Sequence, residues 1–441
     1  MTVPTVTVGS QIALRHTGAL DDLSGDARRA LLRRGSDTLD SIARDTTRII
    51  ADVRARGDAA LLAMAREFDG ADLSTLVVPR PALARALQSL SPTLRRAMER
   101  SARNIETVHR AFLPAAIEVE SEPGILIGRR PDPLRRVGVY APGGRASYPS
   151  SVLMSAIPAR VAGVGEVIVA SPPDASGSPP AAVLAAAALC GVERVFAIGG
   201  AGAIAAMALG TRSVPRVDRI VGPGNAYVAA AKLQLVGEVG IDMPAGPSEL
   251  LIIADESADP AFIAREMVAQ AEHDPLACVV ALTIGAPTAA AVERELRDRV
   301  PGERRRDIIT RALAGQSGVL CASDIDAAIE FANEYAPEHL LLAVGAPDAV
   351  LPRVRNAGTV LVGPCASVTF GDYMVGANHV LPTAGTARFY SGLSPLDFVR
   401  WTTYQRITPA AARSLAADVA DFADAERLFA HAAAARAWAP S

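Results

Sequence analysis

Short runs of β-branched residues alternate with alanine-rich helical segments through most of the chain after residue 117. Strands that alternate with helices of this length imply parallel βαβ units in a sheet covered on both faces. We therefore predict an α/β fold with two parallel sheets. The predicted strands are RVGVY (136–140), EVIVA (166–170), RVFAI (194–198) and DRIVG (218–222) in the first sheet, and ELLIIAD (249–255), ACVVALT, SGVLCA, HLLLAV and GTVLVG in the second.

The length of 441 residues predicts more than one domain. Residues 1–35 show no sustained period and are interpreted as an N-terminal arm. Apolar residues then recur at helical spacing up to residue 112, with a break at Gly57, but no strand accompanies these helices. We expect them to pack on the second sheet. This makes residues 36–118 plus 247–393 one α/β domain, residues 119–246 a domain inserted into it, and residues 394–441 a small C-terminal helical unit.

Composition excludes several classes of function. A net charge of −3 creates no field that gathers nucleic acid or anionic lipid, so the expected partners are small molecules and copies of the chain. No signal peptide or run of apolar residues long enough for a membrane span is present, which predicts a cytoplasmic protein. The four cysteines are far apart and show no C-x-x-C spacing, so neither a disulfide scaffold nor a thiolate zinc site is expected.

Polar groups are concentrated in the stretch FGDYMVGANHVLPTAGTAR (370–388), which contains Asp372 and His379 between several glycines. This density predicts a loop. Four of the six histidines lie after residue 270, each close to another side chain that binds metal or moves protons: His273, His339, His379 and His431.

Gln270 and His273 are three positions apart near the end of a predicted helix, so their side chains share one face. Such spacing is how two ligands on one helix reach one metal, although a solvated helix end has the same residues. The stretch 370–388 adds Asp372 and His379, and the C-terminal helix adds Glu426 and His431. Aspartate with histidine and a carbonyl oxygen is a donor set that suits zinc or manganese.

Glu338 and His339 lie directly before the apolar run LLLAV. Glutamate and histidine are the side chains most used for general acid–base catalysis, and histidine titrates near neutral pH without help. A surface ion pair at the start of a strand is the alternative interpretation.

Three glycine-containing turns follow successive strands of the first sheet. The segment from Gly199 to Ala205 contains G-x-G-x-x-A at a strand-to-helix junction, as in dinucleotide-binding folds, but close packing of helix on strand needs the same small residues. The turns Tyr140–Gly144 and Gly222–Asn225 follow two other strands. Together they predict backbone N–H groups along one edge of a parallel sheet, where nucleotides bind.

Long motifs in a fixed order identify the chain as similar to the histidinol dehydrogenase family. The resemblance runs from about residue 40 to the C-terminus and rests on GVYAPGG, YPSSVLMSAIPA, GPGNAYVAAAK, IDMPAGPSE, QAEHDP, NEYAPEHL, GDYMVGANHVLPT, ARFYSGLS and a final E-x-x-x-x-H.

The resemblance implies a role for each matching position. It implies two Rossmann-like domains, one inserted in the other, in an intertwined homodimer with shared active sites. The implied zinc ligands are Gln270, His273, Asp372 and His431, which also face the substrate. The implied acid–base pair is Glu338 and His339; the further substrate contacts are Ser248, His379 and Glu426; and the NAD contacts are Tyr140, Asn225 and the position of Gly202.

The implied reaction is oxidation of L-histidinol to L-histidine through histidinal with two molecules of NAD, in which His339 takes the alcohol proton and Glu338 activates water. Zinc grips the substrate, and the segment with His431 completes the site of a neighbouring subunit. Gly202 departs from the glutamine usual in the family, which also creates the apparent dinucleotide motif. The stretch 365–370 and Met374–Val375 also differ from the pattern expected for the family.

Three alternatives remain open from the sequence. The first is a dehydrogenase on the same scaffold that oxidises another primary alcohol, such as a sulfonated diol, with the same zinc and NAD. The second is a zinc hydrolase, which would act without NAD. The third is a zinc-dependent dimer without catalytic activity.

Overall fold

The computed structural model describes residues 12–34, 39–143 and 147–439. Parts of several sequence predictions lie outside these residues. They are positions 1–11 and 35 of the N-terminal arm, positions 36–38 of the domain predicted to follow it, positions 144–146 of the inserted domain, which include Gly144 of the turn after RVGVY, and the last two residues of the C-terminal unit.

The strands of the described residues agree closely with the predicted β-branched runs and add others. In chain order they are His16–Ala19 (β1), Ile117–Glu122 (β2), Ile125–Pro133 (β3), Arg136–Tyr140 (β4), Glu166–Ser171 (β5), Arg194–Ala197 (β6), Arg219–Val221 (β7), Gly240–Ile241 (β8), Glu249–Ala254 (β9), Cys278–Ile284 (β10), Gly318–Ala322 (β11), His339–Ala343 (β12), Thr359–Val362 (β13) and Val399–Ile407 (β14).

The helices of the described residues include a group of four before the first sheet and others between the strands. In chain order they are Gly25–Leu32 (α1), Leu39–Arg56 (α2), Asp58–Phe68 (α3), Arg80–Ser89 (α4), Pro92–Ala111 (α5), Pro149–Val161 (α6), Ala181–Leu189 (α7), Gly200–Leu209 (α8), Ala226–Gln234 (α9), Pro260–Ala271 (α10), Ala286–Arg299 (α11), Arg306–Gly315 (α12), Ile325–Tyr335 (α13), Pro347–Val350 (α14), Val368–Tyr373 (α15), Pro409–Ala425 (α16) and Phe429–Arg436 (α17).

The two predicted parallel sheets are present and share one internal order. The first has the strand order β6-β5-β4-β7-β8, and the second has β1-β11-β10-β9-β12-β13, with every pair parallel. In the first sheet the chain starts at β4, adds β5 and β6 on one side of it, and then adds β7 and β8 on the other side. In the second sheet, apart from the edge strand β1, it starts at β9, adds β10 and β11 on one side, and then adds β12 and β13 on the other. This reversal makes a switch point between β4 and β7 and another between β9 and β12. Open α/β sheets bind ligands at the carboxyl ends of the strands beside such a point.

The central strands carry continuous apolar runs because both faces of each sheet are covered. Residues Leu250 to Ile253 of β9 are fully buried and divide between two core clusters, one on each face of the second sheet. The α1 segment belongs to this sheet as well, since Leu31 packs in the same cluster as Leu340. The predicted arm therefore contributes a strand, β1, and a helix, α1, to the second sheet.

The helices between residues 39 and 111 pack on the first sheet, so the prediction that they pack on the second was wrong. Val53 of α2 and Leu61 of α3 share a core cluster with Ile204 of α8. Ile105 of α5 shares another with Val137 of β4. Helical periodicity reports that a helix has an apolar face, but not which sheet that face covers. As a result the chain leaves the second sheet after α1 and returns to it only at β9.

The C-terminal unit is not purely helical, which corrects a second prediction. Residues 399–407 form β14, which pairs antiparallel with β3 along nine positions in a three-stranded sheet of order β14-β3-β2. The sequence VRWTTYQRI is rich in β-branched and aromatic residues, as strands are, and β3 supplies its partner from the other end of the chain. Among the described residues, no helix combines the length and apolar character that a bilayer span requires.

Candidate active site

The site lies at the amino ends of β9 and β12, the two strands that flank the switch point of the second sheet. Glu249 begins β9 and His339 begins β12, and His339 pairs in register with Leu250. Ser248 and Glu338 are the residues just before these strands. Polar side chains occur at the amino ends of these strands because the fully buried apolar run of each strand begins only at its second residue.

His339 lies at the centre of the site. Its Nδ1 is 3.1 Å from the carbonyl oxygen of Glu249 and 3.4 Å from Oε2 of Glu338. Its Nε2 is 3.6 Å from Oδ1 of Asp372. Burial lowers the pKa of His339, but the carboxylates of Glu338 and Asp372 outweigh burial and hold that pKa well above its usual value. The ring therefore carries a proton readily and has a carboxylate on each side.

Glu338 is buried beside this imidazole, and its Oε2 accepts a hydrogen bond from the Glu249 amide at 2.7 Å. Burial raises its pKa, the neighbouring His339 partly offsets that effect, and the charge of Glu249 raises the pKa further. A carboxyl group with a raised pKa is suited to accept and return a proton near neutral pH. The predicted pair Glu338 and His339 is thus brought together in a buried site, which excludes the surface ion pair as an interpretation.

Gln270 and His273 reach the same site from the end of α10. Gln270 is almost fully buried; its Nε2 donates to the Glu249 carbonyl at 3.4 Å, while its Oε1 has no hydrogen-bond partner within the described residues. His273 Nδ1 lies 3.3 Å from the hydroxyl of Ser248. Burial lowers the pKa of His273, although Asp372 acts in the opposite direction. Neutral imidazole is the form that binds a metal.

Asp372 and His379 come from the polar stretch that was predicted to be a loop. The part that holds Asp372 is a short helix, α15, which begins with a cap from Ser367 and packs against α10. Burial raises the pKa of Asp372, but its close contact with the His339 imidazole and the charges of His379 and His273 lower that pKa below its usual value. His379 Nδ1 donates to the Asp372 carbonyl at 2.9 Å, and its Nε2 is 3.3 Å from the Ser151 hydroxyl of α6. The site therefore adjoins a helix of the first sheet.

The residues that converge here fit a metal such as zinc. An uncommitted amide oxygen from Gln270, an imidazole from His273 and a carboxylate from Asp372 are ligand types that zinc accepts. In the part of the chain that the structure describes, no group of three or more His, Cys, Asp or Glu side chains is arranged to hold a metal ion. Of the three predicted ligands at this site, only His273 and Asp372 are among those four residue types, because the third ligand, Gln270, is a glutamine.

Glu426 and His431 are not brought to this site within one chain. Glu426 follows α16 and His431 lies in α17, and both are exposed. Between residues 147 and 439, neither forms a hydrogen bond or ion pair with the clustered side chains. Their predicted roles depend on a second copy of the chain.

The predicted nucleotide turns lie at the switch point of the first sheet. Gly222 follows β7 with φ +111°, and a Cβ there would lie 2.2 Å from the carbonyl oxygen of Tyr140 at the end of β4. Only glycine fits this close approach. A buried ion pair fixes the turn: Lys232 Nζ donates to the Gly222 carbonyl and to Asp242, both at 2.6 Å, and Asp242 accepts from the Gly222 amide.

Tyr140 and Asn225 flank this switch point in different environments. Tyr140 is buried, and its hydroxyl oxygen accepts a hydrogen bond from the Gly200 amide at the start of α8. Burial raises the pKa of Tyr140 to about 12. Asn225 is exposed and caps α9, because its side-chain oxygen accepts from the amides of Tyr227 and Val228. Both residues are thus fixed at the carboxyl edge where nucleotides bind.

Gly202 faces helix α3. A Cβ at Gly202 would lie 3.0 Å from Sδ of Met64 and 3.3 Å from Cδ2 of Leu61. This placement favours the helix-packing interpretation of the G-x-G-x-x-A segment. A role of Gly202 in cofactor binding stays a prediction.

The sequence interpretation missed two buried residues beneath the site. Glu249 shares hydrogen bonds with Glu338, and Arg34 forms an ion pair with Glu249. A signal existed for Glu249, since an acidic residue at the head of the apolar run LLIIA needs a partner. Arg34 lies among several arginines in a polar segment and carries no such signal.

Comparison with known proteins agrees with the motifs. The family model for histidinol dehydrogenase matches residues 32–438. The histidinol dehydrogenase of Natronomonas pharaonis is 48% identical over 419 residues, which cover 95% of this chain and 98% of the relative. That of Methanosarcina barkeri is 45% identical over 418 residues, with 95% and 96% coverage.

A solved structure extends the similarity to the whole fold. The crystal structure of histidinol dehydrogenase from Elizabethkingia anophelis superposes with a TM-score of 0.92 at 33% sequence identity, covering 97% of this chain and 98% of that one. The resemblance inferred from the sequence motifs is thereby confirmed, and the chain belongs to the histidinol dehydrogenase family of NAD-dependent oxidoreductases.

Proposed function

We propose that this protein oxidises L-histidinol to L-histidine through histidinal, using zinc and two molecules of NAD. The observation that carries the proposal is the position of His339, buried between Glu338 and Asp372. An acid–base pair therefore lies beside side chains able to hold a metal, in a chain that matches its family over nearly its whole length. A substrate bound to such a metal would have its alcohol next to a base.

His339 has the geometry of the base in the alcohol step. Its Nδ1–H donates to the Glu249 carbonyl, so the extra proton that the raised pKa favours is held at Nε2, on the side of Asp372, and the base is the neutral ring with Nε2 free. Nε2 would take the hydroxyl proton as the C–H bond gives up its hydride, forming the aldehyde. NAD, when bound, supplies the hydride acceptor in each oxidation.

Glu338 is the proposed base for the second step. Its carboxylate would take a proton from water as the water oxygen bonds to the aldehyde carbon, while the aldehyde oxygen takes the proton that His339 gained in the first step, producing the hydrate. The hydrate then loses a second hydride and a proton to give the carboxylic acid. The raised pKa of Glu338 supports this role, because a group that ionises closer to neutral pH gains and loses protons during turnover.

The proposed zinc ligands are Gln270, His273, Asp372 and His431 from a second subunit. When bound, zinc would hold the amine and imidazole of the substrate and keep the aldehyde in place between the two oxidations. The unpartnered Oε1 of Gln270 and the ionised carboxylate of Asp372 support the assignment. Ser248, His379 and Glu426 are the proposed further contacts to the substrate.

NAD is proposed to bind at the switch point of the first sheet. The turn after β7 and the residues Tyr140 and Asn225 lie at the carboxyl ends of adjacent strands, which supports this assignment. The contact between His379 and Ser151 supports a nicotinamide position next to the acid–base pair, because Ser151 lies in the helix that follows β4.

A homodimer with shared sites is proposed from the C-terminal unit. The strand β2 is exposed along its whole length. Large apolar side chains are also exposed on α16, on α17 and just after α17, and they include Phe422, Phe429 and Trp438. Apolar surfaces of this kind mark protein interfaces. A second copy is the proposed occupant, because the predicted ligand His431 lies on this unit and, among the described residues of one chain, has no hydrogen bond or ion pair with the other predicted ligands. A cytoplasmic location stays a prediction.

The proposal is tested by supplying alcohols with NAD and following NADH absorbance. L-histidinol should yield two NADH per molecule and L-histidine as product. Activity with a sulfonated diol and none with L-histidinol would replace the substrate assignment. Turnover of an ester or amide without NAD would instead support a zinc hydrolase.

A further inference from the structure

Arg34 is a buried arginine that follows helix α1. Its guanidinium forms a two-point ion pair with Glu249: Nε is 2.7 Å from Oε1 and Nη2 is 2.7 Å from Oε2. Both side chains are about 1 to 3% exposed. The guanidinium also stacks on the ring of Tyr335, with 3.5 Å from Cζ to the ring centroid. This arrangement fixes the orientation of both partners, because a planar guanidinium matches a carboxylate in only a few geometries.

Glu249, whose orientation Arg34 fixes, forms hydrogen bonds with both members of the acid–base pair. Its amide donates to Oε2 of Glu338 at 2.7 Å, and its Oε2 accepts from the Glu338 amide at 3.3 Å. Its carbonyl accepts from Nδ1 of His339 at 3.1 Å, and its Oε1 accepts from the Ala384 amide at 2.7 Å. One residue thus holds the side chain and backbone of Glu338 and sets which nitrogen of His339 carries a proton.

Arg34 also holds the turn that leads into this pair. Its Nη2 donates to the carbonyls of Tyr335 at 2.9 Å and Ala336 at 3.3 Å. Ala336 has φ +48°, in the left-handed region that a residue with a Cβ adopts only under constraint. Pro337 and Glu338 follow directly. The guanidinium therefore holds the backbone turn that directly precedes the acid–base pair.

We propose that Arg34, through Glu249, is a positioning residue for Glu338 and His339; this inference rests on the proposed function. Stability alone is a weak reason for the ion pair, since a buried pair of charges is often no more stabilising than apolar residues of the same volume. Orientation of a catalytic base is a stronger reason, because a displacement of about 1 Å can cost on the order of 100-fold in rate.

The test compares Arg34→Lys with the matched control Arg33→Lys at the exposed neighbouring position. Lysine keeps the charge but cannot make the two-point contact. We expect Arg34→Lys to fold and bind zinc as the parent does, to keep KM for L-histidinol within about 3-fold, and to lower kcat by about 10- to 100-fold. With L-histidinol deuterated at the hydroxymethyl carbon, the isotope effect on kcat should exceed that of the parent. Arg33→Lys should match the parent in every measurement.

The isotope effect separates positioning from simple loss of folded protein. A smaller folded fraction lowers the measured rate and leaves the isotope effect unchanged, whereas a misplaced base slows hydride transfer itself. An Arg34→Lys protein with the kcat and isotope effect of the parent overturns the inference. The same holds if activity falls only in proportion to the folded fraction.

Glu249→Gln decides the matter if Arg34→Lys does not fold. It keeps the shape of the side chain and one acceptor oxygen, and removes the charge that Arg34 binds. A lowered kcat with a raised isotope effect supports the inference, and parental values overturn it. If the parent protein itself forms no NADH from L-histidinol, the proposed function fails first, and that result is distinct from both outcomes.

Discussion

The carbonyl oxygen of Glu249 accepts a hydrogen bond from Nδ1 of His339 at 3.1 Å, across two neighbouring parallel strands. This contact assigns the proton on the ring to Nδ1 and leaves Nε2 on the side of Asp372. The strands thus decide which nitrogen can take a proton from a substrate. It also means that the acid–base chemistry depends on the register between β9 and β12.

Replacing the acid–base pair should stop different steps. We expect His339→Asn to lower the rate of NADH formation from L-histidinol by about 10²- to 10⁴-fold, because the alcohol proton loses its acceptor. Glu338→Gln should slow mainly the aldehyde step, so histidinal accumulates. Stopped-flow absorbance and product analysis measure both. Glu330→Gln, an exposed change on α13, is the control. Unchanged activity in both site variants would favour a zinc site that is only structural.

Removing a proposed ligand should release the metal. We expect Asp372→Asn and Gln270→Ala to weaken zinc binding by on the order of 100-fold or more, because the first replaces a charged carboxylate ligand with a neutral amide and the second removes an amide oxygen. Metal analysis after dialysis measures this without any activity assay. The control is Glu272→Gln, an exposed change between Gln270 and His273, which should retain the metal. Full zinc content in Asp372→Asn would contradict the ligand set.

Two variants that form little L-histidine on their own should restore L-histidine formation, the activity measured in this test, when they share a dimer. We expect His431→Ala and Glu338→Gln, co-expressed with different tags, to regain about a quarter of parental activity. Random pairing makes half of the dimers hybrid, and each hybrid has one intact site. The control pair is Glu338→Gln with Asp372→Asn, whose changes fall in the same half of the site and should not complement. No recovery with His431→Ala would mean that the site does not take His431 from a partner.

Gly202 should resist replacement by the glutamine that the family usually has there. We expect Gly202→Gln to lower the free energy of unfolding by about 1 to 3 kcal/mol, because its side chain meets Met64 and Leu61. Adding Met64→Ala should relieve the loss, and KM for NAD in the double variant shows whether a glutamine contact forms. Denaturant titration measures stability. A single variant as stable as the parent would contradict the packing role.

His109 should make the fold less stable as pH falls. It is buried on α5, neither ring nitrogen has a hydrogen-bond partner within the described residues, and burial lowers its pKa to about 4. In the unfolded chain His109 binds a proton below about pH 6.5, whereas in the folded chain it binds one only below about pH 4. The free energy of unfolding therefore falls as the pH is lowered across that range. We expect this residue to account for about 2 kcal/mol of the loss between pH 7 and pH 4.5.

The measurement compares denaturant unfolding of the parent and His109→Leu at both pH values. Other titrating groups affect both proteins equally, so the difference isolates His109. The stability lost between the two pH values should be smaller in the variant. An equal loss in both proteins would assign the pH dependence to other groups.

The amino-acid sequence determined what local patterns can report. Nine of the eleven strands in the two parallel sheets followed from β-branched runs, since a strand covered on both faces must be apolar along its length, whereas β1 and β8 did not. The break between α2 and α3 followed from Gly57, which adopts φ +55°. The candidate residues followed from their types and motifs, because zinc and proton transfer require particular donor atoms wherever the chain places them.

Tertiary structure alone decided which elements meet. An apolar stripe does not specify its partner, so the sequence could not assign α2–α5 to the first sheet, nor pair β14 with a strand some 270 positions away. Arg34 and Glu249 are 215 positions apart and have no shared pattern. Their contact exists only because β1 and α1 join the second sheet before the chain builds the first. Hydrophobic periodicity encodes burial, whereas partner choice depends on the packing of whole layers, which no local window contains.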